Sequence, residues 1–142
     1  MSPKIPHYAE TERQALAAII RNGALFDVAT GAGITGNSFY SPDNQRIFVA
    51  MEALARQGIP IDLPTLGEKL PDLIVELGEL ECGAIATDVN FPAWLARLRS
   101  CEAARLIRLE ALGVVDDLST IDPDTGKAIA RLVATEEKAR NL

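Results

Sequence analysis

Apolar positions along the chain recur every three or four residues, the period of a helix buried on one side. Ala15, Leu16, Ile19 and Ile20 predict a first helix running from just after Pro6-His7 to about Asn22, with Glu12, Arg13 and Arg21 on the opposite face. Gly23 supplies the stop, because glycine tolerates the left-handed conformation common at a helix C-terminus. Leu25 to Ala29 predicts a short second helix that runs into the glycine-rich stretch Gly31-Ala32-Gly33-Ile34-Thr35-Gly36. Ser41-Pro42-Asp43 then opens a third helix. Serine can cap, proline loses nothing at the first helical position, and aspartate suits the positive end of the dipole. Ile47, Phe48, Met51, Leu54 and Ala55 should face inward before a stop at Gly58.

Ile59-Pro60-Ile61 must be extended, since proline disfavours helical backbone in the residue before it. Asp62 caps a shorter helix with Leu63, Leu66 and Leu70 on its apolar side and Pro71 at its end. Between Pro71 and Asn90 the pattern is weakest. It supports a short helix holding Ile74, Leu77 and Leu80, and another around Gly83 to Thr87.

Asn90-Phe91-Pro92 opens the longest helix, which should reach Leu118. One apolar stripe contains Leu95, Leu98, Cys101, Leu106, Leu109 and Leu112; a second contains Ala96, Ala103, Ile107, Ala111 and Val114. An ordinary surface helix has one apolar stripe. Two stripes call for neighbours on two sides. Glu102 and Arg105 interrupt the first stripe at a spacing that allows pairing across one turn. Asp122-Pro123-Asp124 restarts a last helix, with Ala128, Ile129, Leu132, Val133 and Ala139 expected as its inner stripe. The fold class is therefore all-α: one domain over residues 1–142, with a globular helical head (1–89) and a long antiparallel hairpin (90–142).

Composition adds limits. At 142 residues the chain has room for one ordinary domain, and 48% hydrophobic against 24% charged residues is the balance of a folded protein. Twenty acids against fourteen bases give −6 and a pI near 4.8. A general grip on nucleic acid or anionic lipid is disfavoured, because each phosphate contact needs a cation. Without a secretory signal or a membrane-spanning run, a cytoplasmic setting with Cys82 and Cys101 reduced is expected.

Chemical motifs are scarce. Gly31 to Gly36 matches the G-x-G-x-x-G dinucleotide fingerprint in letters, but that device needs a strand before it and a helix opening on it. No P-loop is present, and Gly126-Lys127 lacks the first glycine. His7 is the only histidine, which excludes a multi-histidine metal site and leaves any His-based triad dependent on it. Asp116, Asp117, Asp122 and Asp124 lack the pattern of a calcium loop. Arg97, Arg99, Arg105 and Arg108 alternate with Glu102 and Glu110 as on a salt-bridged face. Trp94 reads as an anchor of the core or of an interface. No cofactor or metal is expected; an interaction module is what survives.

Pro6-His7-Tyr8-Ala9-Glu10-Thr11-Glu12, Phe39-Tyr40, Asn44-Gln45-Arg46-Ile47-Phe48 and Gly58-Ile59-Pro60-Ile61-Asp62-Leu63-Pro64-Thr65-Leu66 resemble, in order and spacing, the N-terminal domain of DnaB-type replicative helicases. Trp94 to Leu112 and Asp122-Pro123 are similar to that family's long helix and the restart of its last one. The resemblance implies a non-catalytic module, with the family's ATPase domain elsewhere in the helicase. Its hairpin would pair two copies, the pairs would form a hexameric collar, and the collar would recruit primase or a helicase loader. Glu10 would correspond to an acidic position facing primase, with further contacts on the hairpin. Interface residues expected on this basis are Glu10, Trp94, Leu98, Ala103, Ile107, Ala111, Val114, Ile121, Ile129 and Leu132. Glu81-Cys82-Gly83-Ala84-Ile85 departs from the family's Gly-Gly-x-x-Tyr-Leu stretch, and Gly31-Ala32-Gly33 replaces part of its second helix. Both departures bear on the primase contact more than on the fold. Competing readings are the helicase-binding domain of a primase, an unrelated α-helical regulator, and a small nucleotide-binding enzyme using Gly31 to Gly36.

Overall fold

In a computed structural model, which describes residues 8–83, 89–119 and 125–142, seven α-helices and two short 3-10 turns make up the regular structure, without a strand among those residues. The helices are α1 (Ala9–Arg21), α2 (Leu25–Gly31), α3 (Pro42–Arg56), α4 (Leu63–Lys69), α5 (Ile74–Cys82), α6 (Phe91–Leu118) and α7 (Thr125–Arg140). The helix expected around Gly83 to Thr87 falls mostly outside the described residues, as do the restart at Asp122 and the side chain of Ile121.

The head closes around Leu16, Ile19, Phe48, Met51, Leu66 and Leu77, all essentially without exposure. Phe48 is its centre: the rings of Phe26 and Phe39 lie 5.4 and 5.3 Å from it. The caps form as their sequences direct. Ser41 Oγ accepts from the Asn44 amide (3.4 Å). At α4, Asp62 Oδ1 accepts from the Thr65 amide (2.9 Å) while Thr65 Oγ1 accepts from the Asp62 amide (3.1 Å), a reciprocal capping box. Gly58 adopts φ +69, and the Ile59 amide reaches back to the Leu54 carbonyl to close α3.

Four expectations need correction. Gly23 is not left-handed; a Cβ there would sit 3.1 Å from the Ile61 carbonyl oxygen, so its value is close approach of two backbones. Ala55 is exposed, and Ala50 takes the inward place on α3. Ile74 is also exposed, leaving Leu77 and Leu80 to hold α5 to the head. Glu12 is buried rather than on the wet face of α1. Its carboxylate accepts from the Tyr40 amide (2.8 Å), the Ser41 amide (3.3 Å) and Asn44 Nδ2 (2.9 Å). A negative charge against these donors at the start of α3 is favourable, because the helix N-terminus carries partial positive charge.

The 28-residue α6, about 42 Å long at 1.5 Å per residue, belongs to both parts of the molecule. Its first turns bury Phe91, Trp94, Leu95 and Leu98 in the head core, with Phe91 and Trp94 edge-to-face at 6.4 Å. Beyond Cys101 it leaves the head, and α7 folds back along it.

The hairpin and its exposed apolar face

Polar contacts fix where the hairpin leaves the head. Glu102 accepts from Ser38 Oγ (2.7 Å). Arg105 donates to the Asn37 and Ser38 carbonyls (3.2 Å each), with its guanidinium 5.9 Å from the Tyr40 ring centre. The residues expected to pair with each other thus tie α6 to the turn before α3.

Further out, Arg131 of α7 crosses α6 at Gly113, its guanidinium filling the space a side chain there would take. Glu110 Oε2 accepts from Arg131 Nε at 2.6 Å and Asp117 Oδ2 from Nη1 at 3.3 Å. Glu110, Gly113 and Asp117 follow one another at helical spacing, so the arginine is held at both ends and by its plane. The hydrogen bond from Arg131 holds the Glu110 carboxyl below its usual range, and Glu110 in turn raises the guanidinium. Burial pushes the Cys101 thiol up, against the pull of Arg105.

Few residues between the two helices are fully buried. Val114, Ala128 and the hydroxyl-bearing Thr135 are buried along the seam, whereas Ile107 (49% exposed), Val115, Leu118, Ile129 (56% exposed), Leu132 and Val133 are open. The expected inner stripe of α7 is therefore displaced: Ala128 faces α6, but Ile129, Leu132 and Val133 do not.

Helical geometry relates the open residues. Each residue turns the helix by about 100°. On α6 the strip of Ile107, Ala111, Val115 and Leu118 is centred about 100° from the middle of the side that Glu110, Gly113, Val114 and Asp117 turn to α7. On α7 the strip of Ile129, Leu132 and Val133 lies about 100° from its own seam in the same rotational sense. Reversing one helix, as an antiparallel hairpin does, brings both strips to the same side. Leu109 and Leu112, also exposed, fall on the other sides of α6.

The expected interface residues thus divide. Ala103 (half-buried), Ile107, Ala111, Ile129 and Leu132 border or lie on this open side. Leu98 (1% exposed) and Trp94 (8%) are head core, and Val114 (6%) is in the seam; none offers surface in the single chain. Glu10 is exposed on the head, accepting from Gln14 Nε2 at 2.8 Å. Sequence reasoning missed Glu12 and the Arg131 crossing. Of these only the second had a signal, a glycine in the middle of a long helix.

The glycine stretch is not a phosphate cradle. It follows a helix rather than a strand, and Gly33, at φ +88, ends α2. The Ala32, Gly33 and Ile34 amides donate to carbonyls of α2, and the Thr35 amide donates to Ser38 Oγ (3.0 Å). These four amides are already engaged and are not available to a pyrophosphate, which counts against the nucleotide-binding alternative.

A family model described as the DnaB-like helicase N terminal domain matches residues 4–87. The chain belongs to that family. It is a helicase N-terminal module, and the family places it in DNA replication. The crystal structure of the N-terminal domain of DnaB helicase from Mycobacterium tuberculosis shares its fold, with a TM-score of 0.81 over 95% of this chain and 99% of that one. At 16% identity that likeness concerns the fold alone. No curated protein matches the chain by sequence. The family match covers the head, and the hairpin is aligned by fold. Among the described residues no helix is long and apolar enough to cross a membrane.

Proposed function

We propose that this helicase N-terminal module is a non-catalytic pairing and recruiting unit: two copies join through the hairpin, and the pairs build a collar that holds primase or a loader at the helicase, in the cytoplasm. The observation that carries this reading is the open apolar side of Ile107, Ala111, Val115 and Leu118 on α6 with Ile129, Leu132 and Val133 on α7. Scattered exposed apolar residues are ordinary. A continuous apolar side on a hairpin with so few fully buried residues in its seam is characteristic of a surface that another chain covers. The recruiting half of the proposal leans on the family and on the exposed Glu10. By the same reading the module hydrolyses no ATP, and turnover that co-purifies with the chain contradicts it.

Light scattering tests the pairing. The expected species has twice the 15.3 kDa chain mass, and Ile107→Asp returns it to one chain, because a carboxylate would have to be desolvated at the contact. A wild-type chain that stays monomeric at high micromolar concentration overturns the proposal.

A further inference from the structure

The head carries a second open apolar feature, unconnected with the hairpin. Between α4 and α5 runs a shallow groove of about 390 Å³ lined by Leu63, Pro64, Gly67, Glu68 and Ile74. Ile74 and Val75 are 55% and 67% exposed, although both begin a helix whose Leu77 and Leu80 do the anchoring. Gly67 forms the floor, with the Ile74 side chain 3.6 Å from where a Cβ would be. Gly78, one turn after Ile74, faces open space. Small residues beside exposed β-branched ones leave room for a helix to lie close.

Charge says what kind of helix. From Ile59 to Gly83 the chain has six carboxylates (Asp62, Glu68, Asp72, Glu76, Glu79, Glu81) against one lysine, so this segment carries −5 of the whole chain's −6. Asp62 is used as a cap, and Asp72 is paired with Arg46 at 2.7 Å. Glu68, Glu76, Glu79 and Glu81 make no ion pair among the described residues. Arg13 shares clefts with Glu76 and Glu79 and is the one cation lining those clefts among the described residues. An apolar groove with a rim of uncompensated carboxylates repels nucleic acid and anionic lipid. It complements a helix that is apolar on one face and rich in lysine or arginine on its flanks.

We propose that the α4–α5 groove docks a cationic amphipathic helix of a partner protein, with Ile74 and Val75 as the apolar contacts and Glu68, Glu79 and Glu81 as the charged rim. This surface stands apart from hairpin pairing, and at Glu79 it borders the cleft that Glu10 also lines.

The test uses the full chain and a synthetic 18-residue Leu/Lys amphipathic helix, with a Leu/Glu helix of the same pattern as control. The Leu/Lys peptide should bind saturably, shift the amides of Gly67, Ile74, Val75 and Gly78, and weaken with added salt. Ile74→Ala with Val75→Ala should reduce affinity about tenfold or more. Both residues are exposed and alanine is the better helix former, so helix content should hold. Glu79→Gln with Glu81→Gln should weaken binding and flatten its salt dependence, while Ile107→Asp leaves it unchanged, so the groove and the hairpin fail separately. Equal binding of the Leu/Glu peptide, shifts confined to α6 and α7, or an Ile74/Val75 variant of undiminished affinity each overturn the proposal. So does a change of oligomeric state in that variant, which would give the groove to a second copy of the chain.

Discussion

Head and hairpin use the same residue types to opposite ends. In the head, Leu16, Ile47, Phe48, Met51, Leu66 and Leu77 leave almost nothing exposed; α1, α3, α4 and α5 cover one another and the first turns of α6. In the hairpin, Ile107, Leu118, Ile129 and Leu132 remain open, and the seam relies on Val114, Ala128 and the Arg131 crossing. Two helices alone cannot bury apolar residues that point away from their shared seam. The head thus buries a core of its own, and the hairpin leaves a run of apolar side chains uncovered, as the proposed pairing requires. One chain combines them because α6 has its N-terminal turns in one and its C-terminal turns in the other.

Perturbations of the two parts should separate. Phe48→Ala removes the ring at the centre of the head and should cost about 3–5 kcal/mol in chemical denaturation. Glu12→Ala leaves the Tyr40 and Ser41 amides and Asn44 Nδ2 without their acceptor, and a loss of about 2–3 kcal/mol is expected by the same measurement. If Glu12→Ala is neutral, the head does not depend on that buried carboxylate. Ile107→Asp should leave the head's stability within about 0.5 kcal/mol, as an exposed substitution does, while abolishing pairing.

Strong acid should loosen the hairpin. The Glu110 carboxyl titrates lower in the folded chain than its ordinary 4.5, so its contribution is present above that value and is lost as pH falls through the depressed one. Hydrogen exchange of α7 across this acid range checks it, and Glu110→Gln should remove that part of the pH dependence. The smallest effect is expected from Gly113→Ala. It displaces Arg131, yet alanine is the better helix former, and a solvent-accessible ion pair contributes little. The melting temperature should barely move while the acid sensitivity disappears.

How far each part was readable follows from the range of its interactions. Ser41-Pro42, Asp62 with Thr65, and Gly58 act within a few residues, so local sequence locates the ends of α3 and α4. The bounds of α6, Phe91 to Leu118, were equally plain from Asn90-Phe91-Pro92 and the length of the apolar pattern. Glu12 could not be read, because its partners lie 28 to 32 residues away and one acid in an amphipathic helix looks like another. The inner stripe of α7 was misread for a different reason. The rule that apolar residues point inward assumes a chain that covers its own core, and Ile129, Leu132 and Val133 break it. Where that assumption fails, the misplaced stripe marks the candidate face.

Hydrogen exchange at two protein concentrations, followed helix by helix, tests this contrast most directly. Protection in α1 and α3 should be the same at both, while protection around Ile107 to Leu118 and Ile129 to Val133 should fall on dilution as the paired hairpins separate. Concentration-independent protection of α6 and α7 would mean that the hairpin is complete in a single chain, and the account of it as an unfinished half would be wrong.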